Sequence, residues 1–299
     1  MDVQAMLCRE VYESLEPLSS KTRESRDFFG ETVKMFEFGS QDHPPILLVS
    51  DFYGCPRATE VIADAVLRFT GDTHLFVVPC VFPSIAGGIK TLSRIMTGVE
   101  LVDYDLFRES LLKQYKPIFD TEAQTVFILG NVVLVFTDED EVGQLSEHLA
   151  KEYKDYLILG IRRDGSVKVL NVPGSEILTS PLEVLLRDLP EPLLTLYFSC
   201  RDADESCFIV SESYADVLAE LSGLATSQLD EDMLCVEGSD EDRFTAGRGV
   251  KITTTLYEKL FGRPAKVIEV SLGLKNYVEV SKSVIALLNA SYILHALLR

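Results

Sequence analysis

The side chains able to do nucleophilic, acid–base or metal chemistry are few in type and scattered along the chain. Six cysteines stand at positions 8, 55, 80, 200, 207 and 235, with no Cys-x-x-Cys pair. The four histidines are His43, His74, His148 and His295. None belongs to a His-x-x-Glu, His-x-His or His-Glu-x-x-His pattern, the spacings that bring two donors to one metal ion. Each therefore reads as a surface or packing residue. No Gly-x-Ser-x-Gly occurs, so the sharp nucleophile turn of the serine hydrolases is excluded. The stretch Ala86-Gly87-Gly88-Ile89-Lys90-Thr91 has phosphate-loop composition but the wrong spacing, and reads as a Gly-rich surface loop. Gly247-Arg248-Gly249 is weaker still. Cys55 follows an apolar run and precedes a helix pattern, where a thiolate could be stabilised. With no His at short range, a structural loop is the preferred reading. Cys80 and Cys200 lie in apolar surroundings, which suits reduced thiols in a cytoplasmic protein.

The elements that must position these groups alternate in type. Helical spacing covers residues 2–16, 57–69, 104–119, 141–154, 212–224, 254–261 and 277–298. Strand-like runs cover 32–39, 44–52, 74–81, 123–137, 156–162, 193–200, 233–236 and 265–272. Continuous apolar runs such as Pro45-Ile46-Leu47-Leu48-Val49 suit strands covered on both faces. The Gly130-Asn131 step predicts a break or bulge within residues 123–137. Residues 83–99 read as loop, and 166–189 as a hairpin or excursion. The pattern predicts an α/β fold with a mostly parallel mixed sheet and helices on both faces. With no internal repeat or linker, residues 1–299 are expected to form a single α/β domain, with 1–30 as an N-terminal helical extension.

The formal net charge of -19 opposes binding to nucleic acid phosphates or anionic membranes. Acidic runs at Asp138-Glu139-Asp140-Glu141, Asp230-Glu231-Asp232 and Asp240-Glu241-Asp242 read as solvated loops and helix starts. Apolar residues make up 46% of the chain, enough for a large core and too many for a disordered chain. No apolar run is long enough to span a bilayer. Met1-Asp2-Val3-Gln4 shows no basic region leading into an apolar one, so no signal peptide is expected.

Residues 36–107 resemble the zinc carboxypeptidase superfamily, especially its succinylglutamate desuccinylase/aspartoacylase-like branch. That family has a Gly, a Pro-led apolar strand, then His-Gly-x-Glu opening a helix. Here the order is Gly39, Pro44-Pro45, an apolar strand, then Tyr53-Gly54-Cys55-Pro56 and a helix. The family continues with a strand, Asn-Pro, an Arg and Asp-Leu-Asn-Arg. This chain has Phe76-Val77-Val78-Pro79-Cys80, Phe82-Pro83, Arg94 and Glu100-Leu101-Val102-Asp103. A late strand bearing Glu, followed by a terminal helix, matches Val267-Ile268-Glu269-Val270 and what comes after it.

The resemblance implies a zinc-carboxypeptidase-like fold with its metal ligands missing. The first His falls on Tyr53 and the Glu ligand on Pro56. The second His, which should follow a central strand, falls nearest Gly130-Asn131. The Asn-Arg pair falls on Val102-Asp103. Arg94 matches an Arg that meets substrate, and Glu269 matches the general base. A lone carboxylate without a metal is a weak base toward free water. Three readings follow. The first is a non-catalytic protein that binds a small-molecule or peptide ligand, or a protein partner, through a cleft lined by Asp51, Tyr53, Arg94, Asp103 and Glu269. It needs no cofactor, and Glu269 is a relic general base or a structural ion-pair partner of Arg94. The second is a hydrolase with an altered site, using Cys55 as nucleophile or a hard cation held by Asp51, Asp103 and Glu269. The third is an unrelated α/β scaffold with an acidic docking face.

Overall fold

A computed structural model describes residues 3–71, 73–121, 123–137, 148–201, 203–211, 214–226, 236–237, 248–275 and 277–290. The chain opens with helix α1 (Val3–Leu15) and two strands, β1 (Lys21–Arg26) and β2 (Thr32–Phe38). Then come β3 (Ile46–Ser50), α2 (Pro56–Arg68) and β4 (Leu75–Val78). Three helices follow: α3 (Pro83–Ala86), α4 (Gly88–Thr97) and α5 (Tyr104–Gln114). Five strands come next: β5 (Phe119–Asp120), β6 (Gln124–Leu129), β7 (Val132–Thr137), β8 (Leu157–Ile161) and β9 (Val167–Asn171). The remainder holds α6 (Ser175–Leu186), β10 (Leu194–Cys200), β11 (Cys207–Val210), α7 (Ala215–Thr226) and β12 (Val236–Glu237). Helix α8 (Arg248–Phe261), β13 (Val267–Leu272) and α9 (Val280–Asn289) complete it.

The main sheet has eight strands in the order β1-β2-β4-β3-β10-β13-β11-β12. Its centre, β4-β3-β10-β13, is parallel throughout. Strands β3, β4 and β13 are buried along their whole length, as their unbroken apolar runs require when both faces are covered. Alternate side chains feed two cores. Leu47, Val49, Tyr197 and Val267 face one side; Ile46, Leu48, Leu196, Ile268 and Val270 face the other. Helices α2, α7 and α9 cover the second side. Helices α4, α5, α6 and α8, together with the second sheet, enclose the first.

The second sheet is the main departure from expectation. Residues 126–134, expected in the main sheet, belong to a separate five-stranded sheet ordered β5-β6-β7-β8-β9. The Gly130-Asn131 step is a tight reversal rather than a bulge. Gly130 has φ of 60° and lets β6 return antiparallel as β7, with Leu129 paired to Val132. A long apolar run looks the same whether it is one strand or two, and only the turn chemistry tells them apart. Phe107 of α5, Phe127 of β6 and Phe136 of β7 join this sheet to the first core, with ring centroids 5.3 and 5.9 Å from Phe136.

Residues 83–99, read as loop, contain α3 and α4. The glycines flank α4 rather than interrupt it. Gly88 opens it, and Gly98, with φ of 76°, closes it while Ile89 and Leu92 are buried. Strand β1 reads Lys-Thr-Arg-Glu-Ser-Arg; as a polar edge strand it leaves no hydrophobic signal. Residues 166–189 resolve into β9 and α6. The expected elements at 141–147, 233–235 and 291–298 lie outside the described residues. No described helix is long and apolar enough to cross a membrane.

Candidate functional site

In an open α/β sheet, ligands gather at the carboxyl ends of the central parallel strands. Here those ends belong to β3, β10 and β13. Beyond β3, Asp51 Oδ1 accepts the Tyr53 N–H at 2.7 Å and the Tyr197 hydroxyl at 3.0 Å. The same hydroxyl accepts the Phe52 N–H at 3.2 Å. Ser50 Oγ accepts the Val81 N–H at 3.2 Å, tying the ends of β3 and β4 together. Gly54 has φ of 80°, and a Cβ there would come within 3.0 Å of the Ala86 nitrogen. The turn therefore requires glycine.

On the adjacent strands, Tyr197 of β10 lies in register with Glu269 of β13 and Val49 of β3. Ser199, two residues on and on the same face, donates to Glu269 Oε1 at 2.7 Å. Glu269 is 0% exposed and Tyr197 1%. Burial pushes the Asp51 carboxyl up to about 6, against the two hydrogen bonds that favour its charged form. Burial also holds the Tyr197 phenol well above its usual range, reinforced by the negative charges of Asp51 and Glu269.

On the opposite face of the sheet, at the same strand ends, the chain is covalently closed. Cys55, at the N-cap of α2, is joined to Cys200, the last residue of β10. A second bond joins Cys8 to Cys80. Their Cα separations of 5.7 and 5.9 Å lie in the ordinary disulfide range. The expectation of reduced thiols is corrected for these four cysteines, and Cys55 is no free nucleophile. Each lies far in sequence from its partner, so spacing concealed the pairing. Cys207 is buried and lies outside both bonds. Arg57, early in α2, donates to Cys200 Sγ at 3.2 Å and to the carbonyls of Gly273 and Arg201. It thereby clasps the ends of β10 and β13.

The residues singled out from sequence separate into two places. Tyr53 and Glu269 sit with Asp51 and Tyr197, where Glu269 and Tyr53 both act electrostatically on the Tyr197 phenol. Arg94 lies on α4 and pairs with Glu31 at 2.7 Å, half exposed, rather than with Asp103 or Glu269. Asp103 is exposed and caps α5 by accepting the Leu106 N–H at 2.9 Å. Arg94 instead borders a cleft of about 760 Å³ between α1 and α4, lined also by Tyr12, Glu31, Lys90 and Glu100. Sequence reasoning missed Tyr197, Ser199, Arg57 and the Cys55–Cys200 pair. The usable signal was that Cys55 and Cys200 each follow a buried apolar run, and so could meet at one sheet edge.

A tetrahedral zinc site takes imidazole, thiolate or carboxylate donors. The turn after β3 offers Tyr53 and Pro56. Beside it stand Cys55 and, at the end of β10, Cys200. Both thiols there are tied up in the disulfide. This donor set does not fit zinc. Among the described residues, no group of three or more His, Cys, Asp or Glu converges on a point that could hold a metal ion. His74 is engaged elsewhere, between Glu37 Oε1 at 2.9 Å and the His43 carbonyl at 3.2 Å.

The fold so assembled is that of the carboxypeptidase-like mixed α/β proteins. Thrombin activatable fibrinolysis inhibitor superposes with a TM-score of 0.51 at 8% identity, covering 96% of this chain and 75% of that one. A Burkholderia mallei ATCC 23344 protein designated a carboxypeptidase gives 0.50 at 10% identity, covering 96% of this chain and 66% of that one. The chain thus spans two thirds to three quarters of the length of these two structures. No family model matches the sequence, and no curated protein matches it. At such low identity the likeness is one of fold.

Proposed function

We propose that this chain is a non-catalytic protein on a carboxypeptidase-like scaffold, acting through binding rather than hydrolysis. The enclosure of Glu269 carries this reading. A general base must come within hydrogen-bond reach of a substrate or its water. Glu269 is 0% exposed, with one oxygen taken by Ser199. The donors in the turn after β3 do not suit zinc, and Cys55 and Cys200 are joined in a disulfide. Arg94 pairs with Glu31 and Asp103 caps α5, which supports a cleft without a clamp around Glu269. The ligand-binding role passes in this reading to the cleft between α1 and α4. There Lys90 and Arg94 stand among Glu31 and Glu100, a mixed-charge lining suited to a small zwitterion or a peptide. Nucleic acid is disfavoured by the net charge of -19. A cytoplasmic location would need a cytosol that preserves disulfides.

A hydrolase with an altered site is the rival reading, and Asp51 favours it because burial pushes its carboxyl up to about 6. The deciding experiment assays peptidase and deacylase activity of the intact oxidised chain, with and without added zinc or magnesium, beside the Glu269→Gln variant. The expected result is no turnover in either protein. Turnover that is lost in Glu269→Gln would overturn the non-catalytic reading.

A further inference from the structure

We infer that Cys55–Cys200 is a thiol–disulfide exchange site that reacts with a dithiol reductant, while Cys8–Cys80 is a static crosslink. The difference lies in what surrounds each sulfur. Cys55 is the N-cap of α2, a helix of 13 residues, and its Sγ accepts the Ala58 N–H at 3.3 Å. Helix N-terminal amides and the aligned peptide dipoles stabilise a thiolate there. Cys200 Sγ faces the Arg57 guanidinium, whose Nε lies 3.2 Å away. Arg57 is itself held by the Gly273 and Arg201 carbonyls, so the charge stays in place when the bond opens. Both sulfurs of one bond are thus provided for as anions. By contrast, Cys8 lies inside α1, beyond its first turn, and clusters with Cys80, Ala86 and Tyr12.

Access gives the reaction a direction. Cys55 is buried at 5% exposure, whereas Cys200 is only partly buried. An incoming thiolate attacks Cys200 Sγ, forming one S–S bond and breaking another. Cys55 leaves as a thiolate onto the Ala58 N–H. The reductant's second thiolate then attacks its own sulfur in the mixed disulfide. Cys200 is released beside Arg57, and the dithiol becomes a cyclic disulfide. Two electrons pass to the protein, and the two protons of the dithiol go to solvent or to the released sulfurs. A leaving thiolate that is already stabilised speeds this exchange and favours the reduced product. Opening the bond frees the turn after β3 from the end of β10.

The test uses the intact oxidised protein in buffers of reduced and oxidised dithiothreitol. Samples are acid-quenched, alkylated and mapped by peptide mass spectrometry, so that each bond is followed separately. Cys55–Cys200 should open about tenfold faster than Cys8–Cys80 and at a lower ratio of reduced to oxidised reagent. Arg57→Gln should move the Cys55–Cys200 equilibrium about tenfold toward the disulfide, and Arg57→Lys, which keeps a charge, only about threefold. Equal opening of the two bonds, or Arg57 variants that leave the equilibrium unmoved, would refute the assignment. So would free thiols at Cys55 and Cys200 in the untreated protein. If Arg57→Gln does not fold, the comparison of the two bonds in the unmodified chain still decides the matter.

Discussion

Asp51 is buried at the end of β3, and its neutral form should be favoured by folding. The perturbation is Asp51→Asn, which keeps an Oδ1 acceptor for the Tyr53 N–H and the Tyr197 hydroxyl but removes the titration. The carboxyl rises from 3.8 to about 6 in the folded chain, with desolvation as the leading cause. One pKa unit is worth about 1.4 kcal/mol, so the rise amounts to about 3 kcal/mol. A carboxyl raised on folding contributes stability that is fully present below its unfolded value. That stability is lost as pH climbs through the folded value. The wild-type chain should therefore lose stability relative to the variant between pH 4.5 and 7.5, by about 2 kcal/mol of that total. The assay is urea unfolding of both proteins, disulfides intact, at several pH values in that window. Taking the difference between them cancels Glu269 and the other titrating groups common to both. A difference that stays flat with pH, or that shifts in favour of the wild type as pH rises, would show that Asp51 is not desolvated as its surroundings require.

Three further outcomes are expected. Replacing Cys55 and Cys200 together by Ser should lower stability by about 2–5 kcal/mol in chemical unfolding, since the bond closes a separation of 145 residues. Phe136→Ala should cost about 3–5 kcal/mol in the same assay, because Phe136 is 0% exposed and touches Tyr104, Phe107 and Phe127. His74→Leu removes a buried partner from Glu37, whose exposure is 5%. It should lower the thermal midpoint by an amount equivalent to about 3 kcal/mol, and an unchanged midpoint would show that Gln41 alone satisfies Glu37.

The central sheet was legible because β3, β4 and β13 are buried on both faces and must be apolar at every position. Glu269 stood out only through the resemblance; in the folded chain a carboxylate inside such a strand is costly unless something holds it, and Ser199 does. The second sheet was not legible. The β6 and β7 segments are as apolar as the central strands, so hydropathy alone could not say which sheet they join. Arg94 and Asp103 were drawn toward the site by their order along the chain. Their contacts, Glu31 for one and the start of α5 for the other, depend on which way α4 and α5 turn. No periodicity within either helix specifies that. The disulfides were hidden by separations of 72 and 145 residues, which bring sulfurs together only once β3, β4 and β10 are in place.

The two sheets differ in how far their strands must search for one another. In the five-stranded sheet every partner lies within residues 119–171, and β6 meets β7 across a two-residue turn. In the main sheet β3 pairs with β10, joining Ile46 to Leu194 across about half of the chain, and β10 in turn waits for β13. Pairings near in sequence close small loops and form quickly, while distant parallel ones form slowly. The inserted sheet is thus the natural nucleus of this chain during synthesis. Its Phe127 and Phe136 are tied to α5 through Tyr104 and Phe107. The buried cluster around Glu269 is among the last parts of the molecule to assemble.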